Sequence, residues 1–308
     1  MMTRYRKEFR KIAKKLTLAD IQCGISDDLS LESLVTFGRV SPTSNLLLGV
    51  FSQQGILKIL EVFGFIKLLE DMGLRNIDIV IDTSDPHTNR LYAYSGSHCS
   101  ENNICELILK QGPLHFKKGE LPGFPNRNPN LLQIEWLLLQ NPKAKFNRER
   151  LPLPGQSYPG LGLGDRVMEL LILMTRRLRL EGMINKPNFF HTAFMFTREF
   201  VFTNPNNQAI LHAMSRDLLF DYSFYTVAWA TYFNCILNTN DKTPFLWKPD
   251  YLILPLNKDL IKYFRSKEYQ RTVQDLTKKY HFCIDVEKFT KSMKKNNLGI
   301  YEDLSGLR

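Results

Sequence analysis

The feature that most constrains the fold is a glycine-rich loop that runs directly into an amphipathic helix. Residues 151–164 read LPLPGQSYPGLGLG, and Gly160, Gly162 and Gly164 alternate at the end of this run. Alternating glycines allow tight turns and leave no Cβ to block a ligand. The free N–H groups and the dipole of the following helix favour an anion at the same place. The pattern predicts a phosphate-binding loop, or alternatively a turn that lets the helix pack close to a strand.

Apolar patterns predict a strand before this loop and a helix after it. The run 131–139 (LLQIEWLLL) is mostly apolar and ends at Asn141-Pro142, and it fits either a buried strand or a helix. We interpret it as a strand. Apolar side chains of residues 165–181 recur at helical spacing, and arginines crowd the last turns. Gly182 is predicted to end this helix.

The rest of the chain mixes helical and strand patterns. Alternating apolar side chains predict strands, and the second and third of these are expected to form an antiparallel pair. Charges at about three-residue spacing predict an amphipathic helix in the first half, and the second half is more helical. The predicted strands are 76–82, 90–94 and 104–110, and the predicted helical stretches are 55–72 and 208–237. Residues 257–296 are predicted to form two or three polar helices, with Asn257 and Asp285 as N-caps.

These elements predict an α+β protein with a mixed or antiparallel central sheet, flanking helices and a helical C-terminal extension. Residues 111–130 contain four prolines and three glycines, which favours a boundary near residue 125. The predicted organisation is a basic helix over 1–20, a sheet-bearing half over 21–125 and a glycine-loop half over 126–308. The alternative is one continuous domain.

The N-terminal segment carries most of the excess positive charge. Seven basic residues and one acid give residues 1–16 a charge of +6, which leaves +4 of the total of +10 for the rest of the chain. Because positive and negative charges are nearly balanced over the rest of the chain, the sequence does not favour specific nucleic-acid binding. Tyr5, Phe9, Ile12 and Leu16 form a narrow apolar stripe on this basic helix. We expect the stripe either to pack on the body or to contact a membrane surface or a protein partner.

Cysteine usage and hydropathy favour a cytoplasmic protein. The five cysteines are scattered and form no CxxC pair, as is usual in a reducing compartment. Charged residues interrupt every long apolar run, so we expect neither a membrane span nor a signal peptide.

The strand, glycine loop and helix resemble the acyl-CoA-binding motif of the GNAT superfamily of N-acyltransferases. That motif runs Arg/Gln-x-x-Gly-x-Gly/Ala into an amphipathic helix, and the resemblance covers about residues 150–202. Phe196 and Thr197 lie near the position of the tyrosine that often protonates the leaving thiolate in the family. The resemblance implies that the coenzyme A pyrophosphate is held by Gln156, Gly160, Gly162, Gly164, Asp165 and Arg166.

If the resemblance holds, the protein is an acyl-CoA-dependent N-acyltransferase. The implied donor is acetyl-CoA or another acyl-CoA, and the acceptor is an amine of a small molecule or a protein. Amine attack on a thioester requires a base. Glu135 is the first candidate, because a carboxylate on an apolar strand has a raised pKa; the alternative is an edge acid paired with an arginine. His191, among phenylalanines, is the second candidate, and its alternative is a structural histidine held by a backbone partner.

Other functions remain open at this stage. A non-catalytic regulatory or adaptor protein that docks through its basic N-terminal helix is the alternative function. A cysteine nucleophile at Cys99 or Cys105 would have only the nearby His98 in its favour. A metal site could use Asp82, Asp85, His87, His98 and Cys99, although Asp82–Pro86 is equally typical of a turn after a strand.

Overall fold

The computed structural model describes residues 5–24, 45–115 and 128–298. These residues form a seven-stranded mixed sheet flanked by helices, and a small antiparallel sheet of three strands. The predicted α+β class is therefore confirmed. The helices are α1 Arg6–Ala13, α2 Leu18–Ile21, α3 Gln53–Val62, α4 Phe65–Asp71, α5 Gly164–Arg177, α6 Phe190–Phe196, α7 Pro205–Leu218, α8 Phe224–Tyr232, α9 Lys258–Phe264, α10 Lys267–Thr277 and α11 Val286–Lys295. The strands are β1 Ile77–Asp82, β2 Asn89–Ser95, β3 Asn103–Pro113, β4 Asn130–Leu139, β5 Gly182–Asn185, β6 Val201–Phe202, β7 Ile236–Asn238, β8 Pro244–Phe245, β9 Leu252–Pro255 and β10 Phe282–Ile284.

The large sheet has the order β1-β2-β3-β4-β5-β9-β6, and the small sheet has the order β10-β7-β8. The pairs β1–β2, β2–β3 and β3–β4 are antiparallel. The pair β4–β5 is parallel, and its two strands are connected through α5. Strand β9 lies between β5 and β6 and is antiparallel to both. The boundary predicted near residue 125 lies outside the described residues. The strands on either side of it, β3 and β4, pair in one sheet.

The four strands predicted in the first half of the chain coincide with β1 to β4, and the antiparallel pairing of β2 with β3 is confirmed. Residues 131, 132 and 134 are all buried and apolar because this part of β4 is covered on both faces. Leu132 and Ile134 belong to the large core cluster, whereas Leu131 packs with Ile184 in a second cluster beside α9 and α10.

The single helix predicted over 55–72 is wrong, because the chain forms α3 and α4 with a break at Gly64. Gly64 has a φ of 76°, a conformation that favours glycine. The break allows Phe63 and Phe65 both to be buried, with ring centroids 4.7 Å and 6.3 Å from that of Phe9. Residues two apart on a continuous helix would point in widely different directions.

The helix predicted over 165–181 begins correctly but ends early, at Arg177, and Gly182 does not end it. The chain turns at Arg179, which has a φ of 57°. Gly182 instead begins β5, between β4 and β9, where an added Cβ would lie 2.5 Å from the carbonyl oxygen of Leu254. Glycine is therefore required by the close approach of two strands.

The helical stretch predicted over 208–237 is interrupted, whereas the two or three helices predicted over 257–296 are confirmed as α9, α10 and α11. Residues 208–237 contain α7, α8 and strand β7, and residues 257–296 contain α9, α10, strand β10 and α11. The two predicted N-caps are confirmed: the side chain of Asn257 accepts the N–H of Leu260, and that of Asp285 accepts the N–H of Lys288.

The N-terminal helix α1 packs on the body through its apolar stripe. Phe9 is fully buried, and Tyr5, Ile12 and Leu16 contact the core cluster. Arg6 donates to the carboxylates of Glu169 in α5 and Glu199. In this arrangement the stripe is covered by the protein itself. The longest described helices, α5 and α7, have 14 residues each, short of the about 20 that a membrane span needs.

Candidate functional site

The candidate site lies where the pairing of the parallel strands β4 and β5 ends. Residues Leu131–Ile134 pair with Gly182–Asn185, after which β5 ends while β4 continues to Leu139. The last pair joins Ile134 to Asn185. The carboxyl ends of parallel strands are where ligands bind in α/β sheets, because the connecting loops and helix starts gather there. The carboxyl end of the β4–β5 pair is therefore a candidate ligand site.

A β-bulge lies on β4 at this point. Ile108 of β3 pairs with Trp136, and the next residue, Leu109, pairs with Ile134, so Glu135 is the additional residue of the bulge. A bulge redirects side chains and is common beside functional sites. Glu135 and Trp136 both lie at the surface as a result, although they are neighbours on a strand.

The glycine loop is held beside the end of β4. The N–H of Asn141 donates to the carbonyl of Pro159 at 2.7 Å, and Gln140 forms a β-bridge with Gly160. Leu161 and Leu163 are buried, so the alternating glycines between them face solvent. A Cβ at Gly162 would meet no described atom within 4 Å. The loop is thus anchored by its leucines and open at its glycines.

Helix α5 begins at this open loop with no side chain bonded to its first N–H groups. Its N-cap is Leu163, and α1, α4 and α6 likewise begin without a side-chain cap, whereas α3, α8 and α10 begin with serine caps. The N–H groups of Gly164, Asp165 and Arg166 have no carbonyl acceptor within the helix. Together with the helix dipole, they favour an anion outside the protein core.

The earlier part of the loop packs against α6 and α8. A Cβ at Gly155 would lie 3.1 Å from the ring of Phe189, and the indole N–H of Trp229 donates to the carbonyl of Pro152 at 2.8 Å. The Phe189 ring also lies 6.0 Å from that of Tyr232. Residues 151–164 therefore connect the end of β4 to the segment that follows β5.

The predicted coenzyme-binding residues divide into two groups. Gly160, Gly162 and Gly164 lie together at the open start of α5, as described above. Of the polar residues, Gln156 accepts the N–H of Leu153 in a local turn, and Asp165 lies 3.4 Å from Arg198. The guanidinium of Arg166 lies 4.0 Å from the ring centre of Tyr5 in the turn before α1. These three side chains are thus engaged with the protein itself.

Glu135 does not have the buried environment predicted for it. Its side chain is 42% exposed and lies 3.7 Å from Lys110 on β3. The ion pair with a basic residue agrees with the alternative weighed for this position, with lysine in place of arginine. The bulge explains the difference, because it turns Glu135 outward at the first position beyond the last β4–β5 pair. The carboxylate is therefore at the mouth of the site, in contact with solvent.

His191 is buried at the start of α6. Its ring stacks on that of Phe189, with centroids 5.3 Å apart and planes 13° apart. Burial lowers the pKa of His191 to about 4, so the imidazole is neutral at pH 7. Nδ1 is buried and has no hydrogen-bond partner in the described part of the chain. The backbone partner considered for this nitrogen is therefore absent among those residues.

Asn185, the last residue of β5, is a site residue that the sequence did not reveal. It is 6% exposed, and neither Nδ2 nor Oδ1 has a partner among the described residues. The indole nitrogen of Trp247 is likewise buried without a partner there, and its ring lies 5.7 Å from that of Phe190. A polar residue that ends an apolar strand after a β–α crossover is the signal that could have identified Asn185. That signal depends on recognising β5.

The alternative catalytic groups are used in local structure. The carboxylates of Asp82 and Asp85 accept the N–H groups of Ser84 and His87, and these bonds lower the pKa of both acids. In the described part of the chain no three His, Cys, Asp or Glu residues come together as a potential metal site. Burial raises the pKa of Cys105 to about 12, which opposes a thiolate.

Comparisons with known proteins provide no family for this chain. No protein-family model matches it, and no curated protein matches it significantly. A solved structure described as the crystal structure of a bacterial toxin is similar over 58% of this chain and 73% of its own, with 10% identity and a TM-score of 0.28. A score this low carries no argument about fold or function.

Proposed function

We propose that the protein is an acyl-CoA-dependent N-acyltransferase of the GNAT type, with acetyl-CoA or another acyl-CoA as donor and an amine as acceptor. The observation that carries the proposal is the glycine loop, which is open at the N-terminus of α5 and lies beside the carboxyl end of the β4–β5 pair. A diphosphate fits this position, because three consecutive N–H groups point outward and no Cβ intervenes.

The surroundings of the loop support an extended ligand that carries a diphosphate at one end. Beyond Ile134, β4 offers backbone groups that β5 does not pair. An extended chain with amide groups can hydrogen-bond to such an edge. Asp165 would oppose a diphosphate, but Arg198 lies 3.4 Å from it and offsets its charge. The anion and the reacting end of the ligand would therefore occupy the loop and the carboxyl end of the β4–β5 pair, respectively.

Glu135 is proposed to accept the proton of the attacking amine. The acyl-CoA supplies an activated acyl group as a thioester. The amine nitrogen bonds to the thioester carbon as the carbon–sulfur bond breaks, Glu135 takes the amine proton, and water protonates the leaving thiolate. The exposed position of Glu135, one residue beyond the last β4–β5 pair, supports this role, because an amine can reach its carboxylate there.

Thermal unfolding with acetyl-CoA, free CoA and ATP tests the proposal. A ligand at a hundred times its dissociation constant stabilises by about 2.7 kcal/mol. We expect both CoA species to stabilise the protein and ATP to have no effect. Gly162→Val should abolish the stabilisation. Gly73→Val is the matched control, since both glycines have positive φ (70° and 79°) and open space around an added Cβ.

Release of free thiol from acetyl-CoA in the presence of amines measures the reaction itself. Glu135→Gln should retain the stabilisation by acetyl-CoA but lower the rate by about 10²–10⁴, the usual contribution of a general base. Stabilisation by ATP alone would indicate that the loop binds a nucleotide and that coenzyme A is not the ligand. Absence of stabilisation by any of the three ligands would identify the loop as a packing turn.

The alternative of an adaptor that docks through α1 receives no support from the fold, because the apolar stripe of α1 packs on the core. The proposal includes a cytoplasmic location. All five cysteines are free thiols, which is consistent with a reducing compartment.

A further inference from the structure

Helices α1 and α5 lie side by side and run in the same direction. In the first turn of α5, the guanidinium of Arg166 lies 4.0 Å from the ring centre of Tyr5, just before α1. Toward the other end of both helices, Arg177 donates to the carbonyl of Leu16 at 3.3 Å. The carboxyl ends of the two helices therefore lie at the same end of the pair.

Basic residues occupy the solvent side of this helix pair. The apolar stripe of α1, with Phe9 at its centre, faces the core, so the basic residues of α1 face solvent. Glu8 is the only acid in α1. The exposed basic residues of α1, of the turn after it and of the last turn of α5 are Lys7, Arg10, Lys11, Lys14, Lys15, Arg176 and Arg177. We call these seven residues the basic face.

Arg10 and Arg176 bring two positive charges together where the helices meet. Arg10 is one turn beyond Arg6 on α1. Arg176 is two turns beyond Glu169, the partner of Arg6, on α5. Partial burial, together with the positive charges of Arg10 and Arg6, lowers the pKa of Arg176. The carboxylates of Glu169 and Glu199 are already bound to Arg6, and no residue of the basic face forms an ion pair within the described residues.

The helix dipoles do not account for this accumulation of charge. The carboxyl end of a helix carries about half a negative charge, so the two ends together offset about one positive charge. Seven basic residues less the single acid Glu8 leave an excess of six positive charges. Most of this charge therefore has no counterpart among the described residues, and it is complementary to an anionic partner.

We propose that the basic face binds the anionic surface of a phospholipid membrane, with α1 lying along that surface. Clusters of about four to eight Lys and Arg on an amphipathic helix are typical of binding to anionic lipids. The apolar stripe is packed on the core, so the contact is electrostatic and involves no insertion into the bilayer. A single-stranded nucleic acid fits less well, because Phe9 is buried and Tyr5 is covered by Arg166, which leaves no aromatic ring of α1 for stacking on bases. The inference is independent of the proposed acyl transfer.

Sedimentation of the full chain with vesicles tests the inference. Vesicles of equal parts phosphatidylcholine and phosphatidylserine should carry the protein down, and vesicles of phosphatidylcholine alone should not. Binding should be lost when NaCl is raised from about 0.1 M to about 1 M, because the Debye length falls from about 10 Å to about 3 Å. A contact made by insertion of the apolar stripe would instead persist at the higher salt concentration.

The double variant Arg10→Gln/Lys14→Gln removes two charges from the basic face. Each Lys or Arg near an anionic surface contributes about fivefold to binding, so the partition coefficient should fall about 25-fold. Lys262→Gln/Lys267→Gln is the matched control, since it makes the same change in net charge at two exposed lysines of α9 and α10. It should bind like the wild type. Both variants should keep the wild-type melting temperature and the stabilisation by acetyl-CoA, because the substituted residues are exposed and lie outside the glycine loop.

Three results would overturn the inference. They are no sedimentation with the anionic vesicles, an equal loss of binding in the control variant, and binding that persists at the higher salt concentration. Duplex DNA or RNA, added at a phosphate concentration equal to that of the lipid, provides a further test. If it removes the protein from the vesicles, the partner is a nucleic acid and the assignment of a membrane is wrong. A protein that binds the vesicles but is not stabilised by acetyl-CoA would refute the proposed function alone.

Discussion

The two ends of the parallel pair β4–β5 are built in opposite ways. At the amino end, the carboxylate of Glu181 accepts the N–H of Asn130 at 3.0 Å and also a hydrogen from the side chain of Asn257. The carbonyl of Glu181 accepts the N–H groups of Leu256 and Asn257, and Asn257 caps α9. The polar groups that connect β4, β5 and α9 here are thus satisfied by one another.

At the carboxyl end, polar groups are presented without protein partners. Asn185 and His191 keep three buried atoms unpaired within the described residues, and α5 begins without a side-chain cap. The same strands therefore carry a closed network at one end and open donors and acceptors at the other. The amino end therefore contributes stability through polar groups that satisfy one another, whereas the carboxyl end buries polar groups at a cost in stability.

The largest expected effect is a loss of stability when the ion pair between α1 and α5 is removed. The guanidinium of Arg6 lies 2.8 Å from both Glu169 and Glu199, and the Glu169 side chain is only 2% exposed. Arg6→Ala would remove the guanidinium that pairs with the buried carboxylate of Glu169 and with Glu199, and breaking a buried ion pair costs about 3–5 kcal/mol. Chemical denaturation would measure the loss.

Lys11→Ala on the exposed side of α1 is the control for Arg6→Ala, and it should change stability by about 0.5 kcal/mol or less. If the two variants are equally stable, α1 is a separable appendage. The interpretation of this helix as a docking segment for a partner would then regain its basis.

The second effect is a pH dependence specific to the carboxyl end. Burial lowers the pKa of His191 from 6.5 to about 4, so below pH 6.5 the unfolded chain binds a proton that the folded chain does not. The stabilising contribution is complete above about pH 6.5 and is lost progressively as the pH falls to about 4, by roughly 3 kcal/mol in total. The difference in stability between the wild type and His191→Phe should therefore change by that amount over this range, because only the wild type loses stability through His191 as the pH falls.

Subtracting the His191→Phe curve removes the contributions of the carboxylates that titrate over the same pH range. Parallel curves for the two proteins would mean that His191 is protonated as easily in the folded protein as in the unfolded one. His191 would then no longer distinguish the carboxyl end of the strand pair from the amino end.

Local patterns were sufficient to predict most of the first half of the sheet. Period-two alternation located β1 to β3, a continuous apolar run located β4, and Asn257 and Asp285 were identifiable as caps. These features are determined by residues that are close together in sequence.

The remainder depends on tertiary contacts. A glycine after a helical pattern usually indicates the end of the helix, and this is the prediction for Gly182 from sequence. The structure requires glycine at this position for another reason, the close approach of the Leu254 carbonyl. Glu135 is exposed because β4 has one more residue than β3 across the bulge, a register that alternation does not reveal. Asn185 is visible as a site residue only once β5 is known to run parallel to β4.

The smallest expected effect tests the closed end directly. Glu181→Ala removes the acceptor shared by Asn130 and Asn257, and water can replace part of this network because the site is only half-buried. We expect a loss of about 1–2 kcal/mol in the free energy of unfolding, and a smaller loss for Glu181→Gln, which retains one acceptor oxygen. Stabilisation by acetyl-CoA should be the same in both variants as in the wild type, since the amino end of the strand pair lies away from the glycine loop.

If Glu181→Ala instead weakens that stabilisation as strongly as Gly162→Val does, the two ends of the parallel pair act as one unit. The division between a structural end and a binding end would then be wrong.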